Sequence, residues 1–228
     1  MQDRLWLAHW LKNWTTEDLL HLAPTDEFFI WSIRKPNFQN LSRTVSEFND
    51  DDHYRKIVLT PACIGLFVMF TARKLTWVIN GKGESRDGAY FREVILIHHV
   101  IPFLLDFNNV LVVGDATFVH DKAPCMRANA IQHLLKENGI DFRGNDVGPG
   151  NSQDFNATEN IGAIIKVDVE ALMLEESGPG RYLTETLRQN VENVLKNFEN
   201  DTDLFERLLF SYPGYFKTKW WAHRILII

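Results

Sequence analysis

The chain has 228 residues, 45% of them hydrophobic and including sixteen Phe and seven Trp, enough apolar material for one sizeable core and unlike a disordered chain. Its 24 Lys and Arg against 30 Asp and Glu give a net charge of −6, which tells against a simple basic nucleic-acid-binding module. Cys63 and Cys125 form neither a disulfide framework nor a spaced metal pattern, no apolar run reaches membrane-spanning length, and no signal peptide opens the chain, so a soluble intracellular protein with reduced thiols and no membrane partner is expected.

Residues 3–13 space Leu5, Trp6, His9, Trp10 and Leu11 at helical intervals. Trp14-Thr15-Thr16-Glu17-Asp18 then restarts a helix, with a Thr cap and acids in its first turn. From Leu20 to Ser32 the pattern is that of a strand, which Pro24 is expected to interrupt. Residues 33–60, rich in Asn, Ser and Asp, read as a long loop. IGLFVMFTA (64–72) and KLTWVINGK (74–82) read as a hairpin with a tight junction at Ala72-Arg73.

Residues 89–105 read as a strongly apolar helix, and NVLVVGDATFVHD (109–121) as a buried strand. A helix over 125–139, closed by Asn138-Gly139, precedes a short strand at 140–142. A Gly- and Asn-rich loop leads to a helix from about Ala157 to Leu174, which ESGPG ends. An amphipathic helix over 181–200 and a short one at LFERLLF close the pattern. Three strands followed by alternating helix and strand predict an α/β fold of RNase H-like order: a mixed sheet flanked by helices, gathering acids from strand ends and one neighbouring helix.

Three acids stand out. Asp26 in PTDEFF, Asp121 in HDKAPC and Glu159 in SQDFNATEN come from distant parts of the chain, as a Mg²⁺-dependent phosphoryl-transfer site requires. Taken singly, each has a plainer reading. Asp26 suits a turn before a strand, Asp121 the approach to a helix, and Glu159 the third helical position, where a carboxylate satisfies backbone donors. Asp115 is a weaker alternative ligand, deeper on the same expected strand. His120 should point to the opposite sheet face from Asp121. His98 and His99 read as packing or surface residues, and Asp154 and Asp50-Asp51-Asp52 as loop polar groups.

The order of the motifs adds to this. RLWLAHWLKNWTTEDLLHLAPTDEFF, RKPNFQN, AYFREVILIHHVIPFL, HDKAPCMRANAIQHLLKENGI and SQDFNATENIGAIIK together resemble the catalytic domain of mariner-type (Tc/mariner) DDE DNA transposases, over residues 4 to 213. The resemblance implies that Asp26, Asp121 and Glu159 form the metal triad, holding Mg²⁺ or Mn²⁺, two ions in all. Asp26 would bridge them, and Glu159 would complete the coordination and orient the nucleophile. It further implies metal-dependent DNA strand cleavage and strand transfer, DNA as partner, a possible homodimer and nuclear localisation. Arg34, Lys35, Lys122 and Arg127 are candidate DNA phosphate contacts.

On this reading 1–19 is a helical linker remnant, 20–175 the catalytic domain and 176–228 a C-terminal helical extension. The family's helix-turn-helix modules would precede the first residue, so a truncated or decayed transposase is expected. Departures from the family pattern are Lys122 where it has Asn, Met126 where it has His, Gln153 where it has Pro, and Gly148 where it has Trp. A catalytically inactive descendant serving as an interaction or DNA-associating module is therefore the alternative, and another RNase H-like nuclease the third.

Overall fold

The computed structural model describes residues 14–32, 61–80, 87–120, 128–143, 157–177 and 179–211. The helix expected over 3–13 and the loop over 33–60 lie outside them. In chain order the described elements are α1 (Thr16–Leu20), β1 (Leu22–Trp31), β2 (Cys63–Phe70) and β3 (Leu75–Asn80), then a helix α2 spanning 88–104. There follow β4 (Thr117–Val119), α3 (Asn129–Glu137), β5 (Asp141–Arg143), α4 (Ala157–Glu175), a 3₁₀ turn (Pro179–Tyr182), α5 (Thr184–Phe198) and α6 over 202–211. The strands form one sheet in the order β3-β2-β1-β4-β5. β1–β2 and β2–β3 pair antiparallel, β1–β4 and β4–β5 parallel.

Thr15 caps α1 as its residue type predicts. Its backbone N–H donates to Asp18 Oδ2 at 2.7 Å while its hydroxyl accepts from the Asp18 N–H at 3.2 Å, so each end of the box satisfies a donor. Those Thr15 bonds, the backbone one first, hold the Asp18 carboxyl below the ordinary carboxylate range. β2 and β3 meet at a turn organised by Thr71, whose hydroxyl oxygen accepts from the N–H groups of Arg73 and Lys74, both at 3.2 Å.

Two expectations for the strands needed correction. Pro24 does not break β1, which runs unbroken through it. Thr117 N donates to His21 O, so the odd-numbered residues of β1 turn their amides toward β4 and the even-numbered ones toward β2. The missing N–H of Pro24 therefore faces the β2 side, where the register starts only at Thr25↔Met69. The strand expected over 109–121 shrinks to Thr117–Val119. Asn109 donates through its side chain to Phe103 O, Asp115 N closes a turn onto Val112 O, and Gly114 adopts φ +92°, so this stretch folds back and exposes Leu111, Val112 and Val113.

α2 is helical as expected, but Phe91–Val100 is wound as a π-helix, with Ile101 N bonding Leu96 O. The winding returns to α at Ile101, beside Pro102, which has no N–H to give. Within it His98 is exposed and His99 half-buried, and burial followed by the neighbouring His98 pushes the His99 imidazole below its ordinary pKa. α3 ends at Asn138-Gly139, with Gly139 at φ +69° as a helix C-terminus favours.

Alternation along the strands splits the interior into two layers. Leu22, Phe28, Ile30, Ile64, Leu66, Val68 and Phe70 face one way, into a core completed by α4, α5 and α6. Ala23, Phe67, Met69 and Phe118 face the other way, against α2 and α3. No helix among the described residues is long and apolar enough to cross a membrane.

Candidate active site

Asp26 lies within β1, paired with Val68, and not in a turn before a strand. It shares the parity of Leu22, Phe28 and Ile30, so it belongs to the sheet face that α4 covers. It is half-buried, and its Oδ1 accepts the Glu27 N–H at 2.8 Å.

Glu159 occupies the third position of α4, as expected, in the turn where the helix dipole favours a carboxylate. Three residues on, Gly162 lies against β1 so closely that a Cβ there would come within 3.0 Å of Phe28 Cε1. Lys166 places its Nζ 4.5 Å from the centroid of the same ring. Glu159, Gly162 and Lys166 form an i, i+3, i+7 stripe, so the face of α4 that carries Glu159 rests on β1 two residues from Asp26. The sequence reading did not single out Lys166; that helical spacing from Glu159 was the signal for it.

The remaining site candidates divide simply. Asp121, Lys122, Arg127, Arg34 and Lys35 lie outside the described residues, as do Cys125 and Asp154. Among the described residues no group of three His, Cys, Asp or Glu is close enough to hold a metal ion. Asp115 is not on β4 but in the turn before it, lining an open acidic pocket with Glu17, Asp18, His21 and Asp141. That pocket sits where β1, β4 and β5 begin, the opposite end from Asp26. His120 is buried and stacks on Phe118, 5.7 Å between ring centroids, which puts it on the α2 face as its parity predicts. Cys63 is half-buried, with its Sγ 4.0 Å from the Ile64 carbonyl oxygen.

In a sheet whose parallel strands are β1, β4 and β5, ligands belong at the carboxyl ends, where loops and a helix start converge. Asp26, His120 and the start of α4 all lie toward that end. The class this defines is an RNase H-like fold, a mixed sheet with helices on both faces.

Among solved structures the chain takes the fold of the mariner transposase Mos1. Over 94% of its length it matches the isolated catalytic domain of Mos1 with a TM-score of 0.60 at 13% identity, covering 86% of that chain. It matches Mos1 in a paired-end complex with the left transposon end at 0.64 and 14% identity, and a Mos1 catalytic domain with raltegravir and Mg at 0.57 and 13% identity. The chain spans 58% of the Mos1 chain in the paired-end complex. No protein-family model and no curated protein matches the sequence.

Proposed function

We propose that the chain is a DDE-type catalytic domain that cleaves and joins DNA strands with divalent metal ions held by Asp26, Asp121 and Glu159. One observation carries the reading. Asp26 lies on the face of β1 that α4 covers, and Gly162, three residues after Glu159, packs on Phe28, two residues after Asp26. Two of the three acids chosen from motif order thus come from elements that pack on each other. Asp121 joins them on the resemblance alone.

An all-carboxylate donor set, partly open to solvent at Asp26, suits a hard divalent cation. When bound, Mg²⁺ or Mn²⁺ supplies Lewis-acid polarisation of a phosphoryl oxygen and lowers the pKa of water. The chain's own residues hold that charge in place: Asp26 from a rigid central strand, Glu159 from a helix start pinned by Gly162 against Phe28. Lys166 sets a cation at the rim, where a nucleic-acid phosphate would pass. DNA as partner, a homodimer and nuclear localisation follow from this reading, and the crystallised Mos1 complexes with transposon ends and with Mg support it.

Addition of Mn²⁺ is expected to raise the melting temperature, the gain in stability reaching about 2.7 kcal/mol at a hundredfold excess over Kd. Asp26→Ala and Asp121→Ala should each abolish the shift. Lys122, where the family has Asn beside the second Asp, favours a second reading, an inactive descendant. Absence of any shift in the parent would decide for it. Cleavage of RNA–DNA hybrid in preference to DNA would point instead to another RNase H-like nuclease.

A further inference from the structure

We propose that the outer face of α4 is the contact surface of a twofold dimer, in which two copies of this chain pack α4 against α4 antiparallel. The helix is apolar on two opposite sides. Ile161, Ile165, Val169 and Met173 are buried in the core. Half a turn round, Ala163, Val167, Ala171 and Leu174 follow at i, i+4, i+8 and i+11. All four are exposed, Val167 at 63% and Leu174 at 67%.

A surface helix ordinarily turns polar residues outward, and α5, packed into the same layer, does so. Its exposed positions are Glu185, Gln189, Asn193, Lys196 and Asn197. A helix apolar on both sides is one that is covered on both. The stripe begins one turn after Glu159, and it is independent of whether Asp26 and Glu159 hold a metal.

The residues of the stripe specify their own cover. Small Ala163 stands at one end and large Leu174 at the other, with large Val167 and small Ala171 between them. A second α4, laid antiparallel about a twofold axis near Asp168 and Val169, sets Leu174 over Ala163 of the second copy. Val167 then comes beside Ala171 of the second copy, within about one residue's rise of 1.5 Å. Large side chains fill the gaps above small ones twice over, as an isologous contact requires. A parallel pair would set Leu174 on Leu174 and leave a gap between the alanines.

The charged edge of the stripe agrees. Lys166 and Glu170 are neighbours one turn apart on the same flank. In the antiparallel pair Lys166 comes level with Glu170 of the second copy, and the twofold axis repeats the contact. A parallel pair would keep each level with its own kind. Asp168, Glu170 and Glu175 around the stripe repel nucleic acid as an occupant.

The test is sedimentation velocity of the full chain, free of divalent metal and DNA, over about 1 to 100 μM, with melting curves at the dilute end. The parent is expected to pass from monomer towards dimer. Val167→Glu and Leu174→Glu should each raise the dimer Kd at least about tenfold and leave the dilute melting temperature unchanged. Lys166→Glu should weaken the dimer as well, and the double variant Lys166→Glu/Glu170→Lys should restore it. A parent that stays monomeric overturns the proposal, and so does a dimer indifferent to Val167→Glu and Leu174→Glu. A fall in the dilute melting temperature of those two variants overturns it too, because the stripe is then covered by the chain itself. Failure of the double variant to restore the dimer rules out the antiparallel register, and the proposal with it.

Discussion

Gly162 shows how a single hydrogen atom positions the candidate site. Phe28 fills the space a side chain at 162 would need, and the close approach seats the start of α4, with Glu159, on β1. A methyl group at 162 would gain up to ~1 kcal/mol of helix propensity and lose part of it by displacing the ring. A β-branched residue meets the same ring with two further carbons. Gly162→Val is therefore expected to destabilise the fold by about 1–3 kcal/mol in urea unfolding, with Gly162→Ala much closer to the parent. Such a contact joins residues 134 positions apart in the chain, and no local pattern announces it. Glu159 was legible at the residue scale only as a helix-start acid; that its helix face lies on β1 beside Asp26 depends on Phe28.

At the scale of elements, the parts that read correctly are those whose local chemistry and tertiary role agree. The β2–β3 hairpin is one, because two β-branched and aromatic runs flank a junction with its own turn chemistry. Thr71 there is 3% exposed, accepts from two backbone N–H groups and donates to the Asn109 carbonyl, so it joins the turn to the segment after α2. Thr71→Val should cost about 1–3 kcal/mol through the donors it leaves unsatisfied, and amide exchange at Arg73 and Lys74 should quicken, while Thr71→Ser should restore both. The segment 109–121 misled for the opposite reason. NVLVV has strand composition, but Gly114 at φ +92° and the Asn109 bonds fold it into turns, and an apolar run carries no signal for that. The π winding of α2 was likewise invisible, since helical spacing over ten residues does not separate i+4 from i+5 bonding.

For the whole molecule the question is what the helices after Gly178-Pro179-Gly180 contribute, since the sequence sets them apart as an extension. Leu187, Val191, Val194, Leu195, Phe205 and Leu209 belong to the same apolar layer as Leu22, Phe28 and Val68, the layer beneath Asp26 and α4. Phe205 is fully buried and packs on Phe70 with 5.5 Å between centroids. Leu75 N donates to Glu199 O at 2.9 Å, and Lys74 pairs with the Glu199 carboxylate at 3.2 Å, so the hairpin is bound to the end of α5 by main chain as well as side chain. A layer shared this way should not separate into a core and a dispensable tail. Phe205→Ala is expected to cost about 3–5 kcal/mol in a single cooperative transition. Removal of residues 177–228 should abolish the cooperative melt altogether. If the shortened chain instead melts sharply at the parent's temperature, α5 and α6 are an appendage, and the face that carries Asp26 and Glu159 holds without them.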